Sequence, residues 1–350
     1  MVWARSQRCT VSPTRHEVDL AAIPILTAGS WRLVGTPEIT LTGAAPKHYL
    51  AYGDYNSPDC EAYIAKKGAR KGGVVRDCVT EELISKIGRA LPVRMADSRL
   101  VRLPVPYGDP PDVRFMSRNF VRRGEELLIH GAEVVALYLG TKPDEVHRVF
   151  DLDNPQAEHR FYTVRHMFEV LTWFCQKDEQ ERSSVLDGFA RMLAFDALVG
   201  APDRHATNWG LLVPLAPSTK RKEFAPLFDT ARGMFREYSD EDLRAIDRRD
   251  GGRPEFIKNY ARKSRPVLGI GEVGPERCNH FDLVQHTLNE VPELGRSIAK
   301  FVRGSRMPDV AKIVRRRFGR VISPTRVSFV LDLLQHRYNR LRMLVEGTSK

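Results

Sequence analysis

A short polar segment, VGAPDRHATNWGLL (residues 199–212), contains the side chains in this sequence that are best suited to chemistry. Four residues separate Asp203 from Asn208, and Asp229 follows a second apolar stretch, APLF. Phosphoryl transfer needs such a set: one carboxylate takes the proton of the attacking hydroxyl, while an amide and a second carboxylate bind Mg²⁺ on the nucleotide phosphates. Asp203 is therefore a candidate catalytic base, and Asn208 and Asp229 are candidate magnesium ligands.

The same loop carries two further polar side chains, Arg204 and His205. A cation beside a phosphoryl group offsets the charge that the group carries during transfer, and Arg204 is a candidate for that role. The spacing D-x-x-x-x-N equals that of the protein-kinase catalytic loop. The alternative is a polar turn in which Asp203 and Asn208 only cap neighbouring elements. Apolar sequence on both sides favours catalysis, because it would hold the loop on a rigid base.

A nucleotide-binding half is predicted upstream of this loop. The stretch TLTGAAPKHYL (40–50) predicts two strands around a loop of small residues. Gly43 and Ala44 would let backbone N–H groups approach phosphates, and Lys47 adds a positive charge. An ordinary hairpin is the alternative for this stretch.

A lysine and a glutamate further along complete that half. The stretch AYIAK (62–66) is similar to the strand on which protein kinases carry the lysine that contacts the α- and β-phosphates, which points to Lys66. A helix is predicted over 80–91, with Glu81 at the flank of its apolar side. Glu82 is turned further out, so Glu81 is the predicted partner of Lys66.

The elements that must hold these residues divide into two parts. Short runs punctuated by Gly and Pro predict a mainly β N-lobe with one helix over 37–122. Longer amphipathic patterns predict a helical C-lobe over 123–350, whereas residues 1–36 have no assigned role. The individual predictions are strands at 38–43, 48–54, 61–68, 98–105, 113–121, 208–215 and 224–229, and helices at 80–91, 125–140, 158–176 and 183–200.

Composition limits the class of protein. The chain has 350 residues, 42% of them hydrophobic, which is enough for two lobes with separate cores. Its net charge of +11 favours anionic partners such as nucleotides, acidic proteins or nucleic acid, with solubility alone as the alternative. Its five cysteines lack zinc-site spacing, and the sequence has neither a signal-peptide core nor a membrane-spanning apolar run. We therefore expect a cytoplasmic protein that does not engage a membrane.

Three segments together resemble one family, the HipA-like kinases. The segment TGAAPKHYL is similar to their G-A-x-x-K phosphate loop, and VGAPDRHATNWGLL resembles their G-x-x-D-x-H-x-K-N catalytic loop. The segment PLFDTARGM resembles the one that carries their metal-binding aspartate. The resemblance extends from residue 37 to about residue 300. It implies an α+β, bilobal protein-kinase-like fold, Mg²⁺ and ATP as cofactors, and phosphorylation of Ser or Thr on proteins.

The resemblance also implies roles for individual residues, and the chain departs from the family pattern at some of them. Thr207 stands where the family has a lysine, so Arg204 is expected to supply the missing charge. Thr40 lies near the place of a serine that the family often autophosphorylates. The implied roles are the catalytic base for Asp203, the loop histidine for His205, magnesium ligands for Asn208 and Asp229, the ATP lysine for Lys66, and the phosphate loop for Gly43, Ala44 and Lys47.

Partners follow from the same resemblance. The family includes toxins that act on translation components such as aminoacyl-tRNA synthetases, and many members work with a DNA-binding antitoxin. A protein substrate and a helix-turn-helix antitoxin are therefore the implied partners. Nucleic acid would be contacted only through that antitoxin or through the basic C-terminal helices around VRRRFGRV (314–321).

Two other functions fit parts of the sequence. The string DRHATN fits the D-R-H-x-x-N loop of the phosphoinositide-3/4-kinase-like superfamily, for which the substrate would be a lipid headgroup or a protein. The second alternative is a catalytically silent kinase fold that acts as a module for binding a partner or DNA through its basic helices.

Overall fold

Two lobes are visible in the computed structural model, and each contains its own sheet. Gly43 and Ala44 of the predicted phosphate loop lie outside the described residues, as do Thr40 and the predicted strand at 38–43. The structure describes residues 17–26, 31–34, 47–54, 57, 60–67, 75–103, 113–150, 162–175, 178–216, 220–230, 232–271 and 278–348.

The N-terminal lobe is built on a five-stranded antiparallel sheet in the order β1-β2-β3-β5-β4. One helix, α1, packs against β4 and β5. This confirms the predicted β-rich lobe, and four of its five predicted strands appear within the described residues. The elements are β1 (Trp31–Leu33), β2 (Lys47–Tyr52), β3 (Glu61–Lys66), α1 (Val75–Arg89), β4 (Ser98–Arg102) and β5 (Val113–Arg118).

Helix α1 begins earlier than the sequence predicted, at Val75 instead of residue 80. The apolar positions Val79, Leu83 and Ile87 are spaced four residues apart and are all buried, so the same helix face extends one turn further back. Glu81 therefore lies inside the helix and not at its first turn.

The expectation that Glu82 points outward is wrong. Its residue surface is only 2% exposed. One carboxylate oxygen accepts a hydrogen bond from Ser98 Oγ at 2.6 Å, and the other lies 3.3 Å from Lys86 Nζ. Arg317, from the far end of the chain, lies 3.5 Å from the same carboxylate. Burial beside strand β4 and beside a C-terminal segment could not be read from the helix pattern alone.

The predicted helix at 125–140 is a strand followed by a helix. Strand β6 (Glu126–His130) leads directly into α2 (Gly131–Leu139). The strand pairs in antiparallel fashion with β7 (Gly210–Pro214), with His130 opposite Gly210. A short apolar run fits either structure, and the pairing with β7 decides for the strand.

The predicted strand at 224–229 is also shorter than expected. Strand β8 contains only Glu223–Phe224, and it pairs with β7 to close the three-stranded sheet. Beyond it, Leu227 makes an isolated bridge to Met95 of the N-terminal lobe. The segment that follows β8 is therefore a loop that is held by both lobes.

Helix α5 (Glu179–Val199) is the central element of the C-terminal lobe. Between residues 189 and 199 nearly every side chain is buried, so the helix is surrounded by others on all sides. It ends at Gly200, whose φ of 70° is the left-handed conformation that favours glycine at a helix end. No helix among the described residues is long and apolar enough to span a bilayer. The other elements are α3 (Pro143–Phe150), α4 (Val164–Phe174), α6 (Asp240–Asp247), α7 (Gly252–Lys263), α8 (His280–Glu290), α9 (Pro292–Gly304), α10 (Met307–Ile313), a π-helical turn (Val314–Phe318) and α11 (Pro324–Gly347).

The described part of the N-terminal segment connects the two lobes. Val18 bridges to Ile322 of the C-terminal lobe, and Ile25 bridges to Arg102 at the edge of the N-terminal sheet. The chain then adds β1 to the other edge of that sheet, beside β2. Residues to which the sequence assigned no role thus serve as a strap between the lobes.

Gly131 offers a test of the packing at the start of α2. A Cβ atom there would lie 2.3 Å from Cζ2 of Trp209, whose ring stacks on Phe224 in the core. We expect Gly131→Ala to lower the free energy of unfolding by about 1–3 kcal/mol through overpacking, as measured by guanidinium chloride denaturation. Gly347→Ala is the control, because a Cβ there meets nothing within 4 Å. Superimposable unfolding curves for the two variants would contradict the packing described here.

Candidate active site

One lysine joins the two lobes electrostatically. Lys66 Nζ lies 2.9 Å from Glu81 Oε1 and 3.0 Å from Asp229 Oδ1. Lys66 ends strand β3, Glu81 comes from helix α1, and Asp229 follows strand β8. The predicted pair of Lys66 with Glu81 is therefore present, and Lys66 also contacts Asp229, which the sequence singled out separately.

Burial and charge act in opposite directions on this cluster. Burial lowers the pKa of Lys66, but Glu81 and Asp229 outweigh it and raise that pKa above its usual value, so the ammonium stays charged. Burial raises the pKa of Glu81 to about 6 against the attraction of Lys66. Burial also opposes ionisation of Asp229, yet Lys66 holds its pKa below the ordinary value. A single buried cation is thus shared by two carboxylates, of which Asp229 is the more firmly ionised.

Lys47 adds a second cation next to this cluster. It lies directly opposite Lys66 in the β2–β3 register, so the two side chains project from the same face of the sheet. Burial lowers the pKa of Lys47, with Lys66 adding to the effect and Asp229 opposing it. Two lysines of the N-terminal lobe therefore face the Asp229 carboxylate.

Arg204 is buried beneath the polar loop. Its Nε and Nη2 atoms donate to the two carboxylate oxygens of Asp196, each at 2.9 Å. Its Nη1 donates to the backbone carbonyls of Asn208 at 2.8 Å and Phe228 at 2.9 Å. The structure contradicts the expectation that Arg204 faces the transferred group, because the residue is only 4% exposed and these contacts occupy its guanidinium.

The loop backbone is held from other directions as well. The hydroxyl of Tyr162 donates to the carbonyl of Arg204 at 2.9 Å and accepts from Nε1 of Trp209 at 2.7 Å. The first turn of α2 contributes the N–H of Ala132, which donates to the carbonyl of Ala206 at 3.0 Å. Sequence analysis missed these supports, since no local pattern marks partners so far apart in the chain.

The Asp203 carboxylate has a basic partner on each oxygen. Its Oδ1 lies 2.8 Å from Nε2 of His205, and its Oδ2 lies 2.9 Å from Nε of Arg232. The side chain is 26% exposed, so it borders solvent. The backbone carbonyl of Asp203 accepts from Nδ2 of Asn208 at 2.7 Å. Sequence analysis placed His205 near Asp203 but did not identify Arg232.

The oxygen atoms of Asn208 and Asp229 suit a magnesium ion. The Asn208 side chain donates through Nδ2, which leaves its amide oxygen as an acceptor, and Asp229 has Oδ2 beyond its contact with Lys66. Nη1 of Arg204 contacts the carbonyls of Asn208 and Phe228, which keeps the two segments adjacent. The described residues contain no cluster of three or more acidic, His or Cys side chains that could hold a metal ion by themselves. A donor set of this size fits Mg²⁺, which usually takes one or two protein carboxylates together with substrate phosphates.

A cleft of about 1020 Å³ runs along the segment that links the lobes, residues 118–125. Tyr49 and Ala62 line it from the N-terminal sheet, and Phe120 lines it from the linker. The ring of Phe120 lies 5.7 Å from that of Phe228, next to Asp229. Phe120, on the wall of the cleft, therefore packs beside the residue that precedes Asp229 and offers apolar surface there.

Comparison with known proteins shows which family and which solved structures this chain resembles. The profile of the HipA-like C-terminal domain family matches residues 39–269, more than half of the chain. The crystal structure of CtkA, a proinflammatory kinase of Helicobacter pylori, superimposes with a TM-score of 0.66 at 16% identity, over 91% of this chain and 97% of that one. HipA in a complex with HipB and operator DNA from Shewanella oneidensis MR-1 gives a TM-score of 0.48 at 13% identity, over 92% of this chain and 73% of that one. No curated protein sequence matches the chain.

The buried pair of Arg204 and Asp196 can be tested by denaturation. Arg204→Met keeps the apolar stem but leaves the Asp196 carboxylate buried without its partner. We expect a loss of about 3–5 kcal/mol in the free energy of unfolding. Arg204→Lys keeps the charge but lacks the planar fork, so a smaller loss is expected.

The control is Arg342→Met, which removes an exposed ion pair with Glu346 on α11 and should leave the unfolding curve unchanged. A midpoint for Arg204→Met equal to that of the control would show that the buried pair does not support the loop.

Proposed function

Because the chain belongs to the HipA-like C-terminal domain family, we propose that this kinase-like protein transfers the γ-phosphoryl group of ATP to Ser or Thr of a protein, with Mg²⁺ as cofactor. The observation that carries the proposal is the meeting of Lys66, Glu81 and Asp229 across the lobes. Arg204 ties the Asp229 segment to the loop of Asp203, so both parts of the candidate site are held together.

The N-terminal lobe would bind the nucleotide. Lys66, oriented by Glu81, and the neighbouring Lys47 present positive charge to the phosphates. The apolar side chains in the cleft along the linker suit the adenine ring, with Ala62 and Tyr49 on one side. The Mg²⁺ ion would be held by Asn208 and Asp229 together with phosphate oxygens, and it would neutralise charge on those phosphates.

The C-terminal loop would carry out the transfer. The oxygen of the substrate hydroxyl forms a bond to the γ-phosphorus while the bond from that phosphorus to the bridging oxygen breaks, and ADP leaves with the electron pair. Asp203 accepts the proton of the hydroxyl. His205, which contacts Oδ1 of the Asp203 carboxylate, orients Asp203 for that step.

The decisive test compares the wild type with Asp203→Asn. Purified protein is incubated with radiolabelled ATP and Mg²⁺, either with cell lysate or with phosphoinositide vesicles. We expect labelled protein with the wild type and a loss of at least ~10²-fold with Asp203→Asn, because general-base assistance contributes on that scale. The melting temperature should change little, since the Asp203 side chain is 26% exposed and borders solvent.

Asp309→Asn is the matched control, because it also removes one carboxylate from an exposed pair, with Arg306. Label in the vesicles and none in protein would favour the lipid-kinase alternative. A wild type that labels neither, although it is folded, would favour the catalytically silent alternative.

The pH dependence of activity tests the contact between Lys66 and Glu81. Because the pKa of Glu81 is about 6, lowering the pH through 6 protonates it and removes one of the two charges that hold Lys66. We expect kcat/KM for ATP to fall below about pH 6 in the wild type. Glu81→Gln should have low activity at pH 7.5 and should lose this acidic limb.

The controls are Glu346→Gln, which lies in an exposed pair on α11, and Lys67→Met, which comes directly after the end of strand β3. Lys66→Met combined with Glu81→Gln should cost less than the sum of the two single changes, because both break the same pair. An acidic limb that persists in Glu81→Gln, or strictly additive losses, would contradict this role.

A further inference from the structure

Arg232 contacts the candidate base, Asp203, but has no part in the proposed transfer step. Its Nε lies 2.9 Å from Oδ2 of Asp203, and its side chain is 53% exposed. It follows Asp229 by three residues, so it belongs to the same segment as a candidate magnesium ligand. The contact therefore joins the two parts of the site at the solvent side.

Apart from His205, which contacts Oδ1 of Asp203, the polar loop brings no basic side chain to this point. Thr207 occupies the position where the resembling pattern has a lysine, and Arg204 is buried against Asp196. The two lysines of the N-terminal lobe approach from the Asp229 side of the cluster. A phosphoryl group passing to a hydroxyl beside Asp203 would need positive charge on the acceptor side too. Arg232 is placed there.

The guanidinium of Arg232 can contact the Asp203 carboxylate and a phosphoryl group at the same time. The contact with Asp203 is made through Nε, and within the described residues no other ion pair engages the side chain. The two terminal nitrogens of an arginine lie in the same plane as Nε and form a rigid fork that matches phosphate oxygens. With Nε on the carboxylate, the fork can hold a phosphoryl group next to the base.

We propose that Arg232 is a catalytic residue that binds the phosphoryl group while it is being transferred. This role rests on the proposed kinase function. Its Nε keeps Oδ2 of Asp203 in place, while its terminal nitrogens donate to oxygens of the γ-phosphoryl group. The bond from the hydroxyl oxygen to phosphorus forms, the bond to the bridging oxygen of ADP breaks, and the hydroxyl proton goes to Asp203. Arg232 stays protonated throughout, so it takes over the charge-offsetting role that the sequence assigned to Arg204.

The kinetic test uses Arg232→Ala and Arg232→Lys in the full chain, with labelled ATP and the acceptor found for the wild type. We expect kcat of Arg232→Ala to fall about 10²-fold, the usual effect of removing one transition-state donor, with little change in KM for ATP. Arg232→Lys should recover part of the loss. Added guanidinium ion at millimolar concentration should restore part of the activity of Arg232→Ala, which a merely structural role would not allow.

A binding measurement supplies a readout that does not depend on turnover. The complex of Mg-ADP with aluminium tetrafluoride mimics the phosphoryl group during its transfer. The affinity of the protein for this complex can be compared by calorimetry with its affinity for Mg-ADP alone. The wild type should bind the fluoride complex more tightly, and Arg232→Ala should lose most of that gain while its affinity for Mg-ADP stays the same. Arg236→Ala is the control, as a nearby arginine that has no ion pair within the described residues.

The outcomes separate this role from the kinase proposal. If the wild type is active, Asp203→Asn is inactive and Arg232→Ala matches or exceeds the wild type, the role of Arg232 is overturned and the kinase stands. Equal fluoride-complex affinity in the wild type and Arg232→Ala overturns it as well. A wild type that neither transfers phosphate nor binds the fluoride complex overturns both.

Discussion

The buried contact of Arg204 with Asp196 is the interaction on which the candidate site depends. One guanidinium connects the central helix α5 to the carbonyls of Asn208 and Phe228. Removing such a charge from water is costly unless its donors are all satisfied, so the three segments must keep their positions together. The polar loop after α5 and the segment that carries Asp229 therefore form one rigid unit with the core of the C-terminal lobe.

The N-terminal lobe is connected to this unit by charge as well as by packing. Lys66 contacts Asp229 on one side and Glu81 of helix α1 on the other. The next residue, Glu82, is contacted by Arg317 of the π-helical turn. The same helix that orients Lys66 is thus braced by the C-terminal part of the chain. Any movement of α1 relative to the C-terminal lobe would alter both contacts together.

Among the described residues, three that are not glycine have a left-handed backbone, namely Asp229, Met234 and Phe235, and Asp229 lies where the two lobes meet. Asp229 has a φ of 52°, in the left-handed region that residues other than glycine seldom adopt. This angle sets the direction of the Phe228 carbonyl relative to the Asp229 side chain. The Phe228 carbonyl accepts a hydrogen bond from Arg204, and the Asp229 carboxylate is paired with Lys66. Such strain persists only where surrounding contacts impose it, which fits a segment held by a buried cation from each lobe.

The sequence by itself determined the family resemblance, the two-lobed α+β fold, and the meeting of Lys66 with Glu81, because residue types at short spacings encode loops and helix faces. Tertiary structure decided the remainder. It turned the predicted helix at 125–140 into a strand and a helix, since pairing with β7 outweighs a local apolar pattern. The tertiary structure also determines that Arg204 is buried and that Arg232 contacts Asp203. Burial and the choice of partner depend on how distant segments pack, and local spacing in the sequence does not encode that packing.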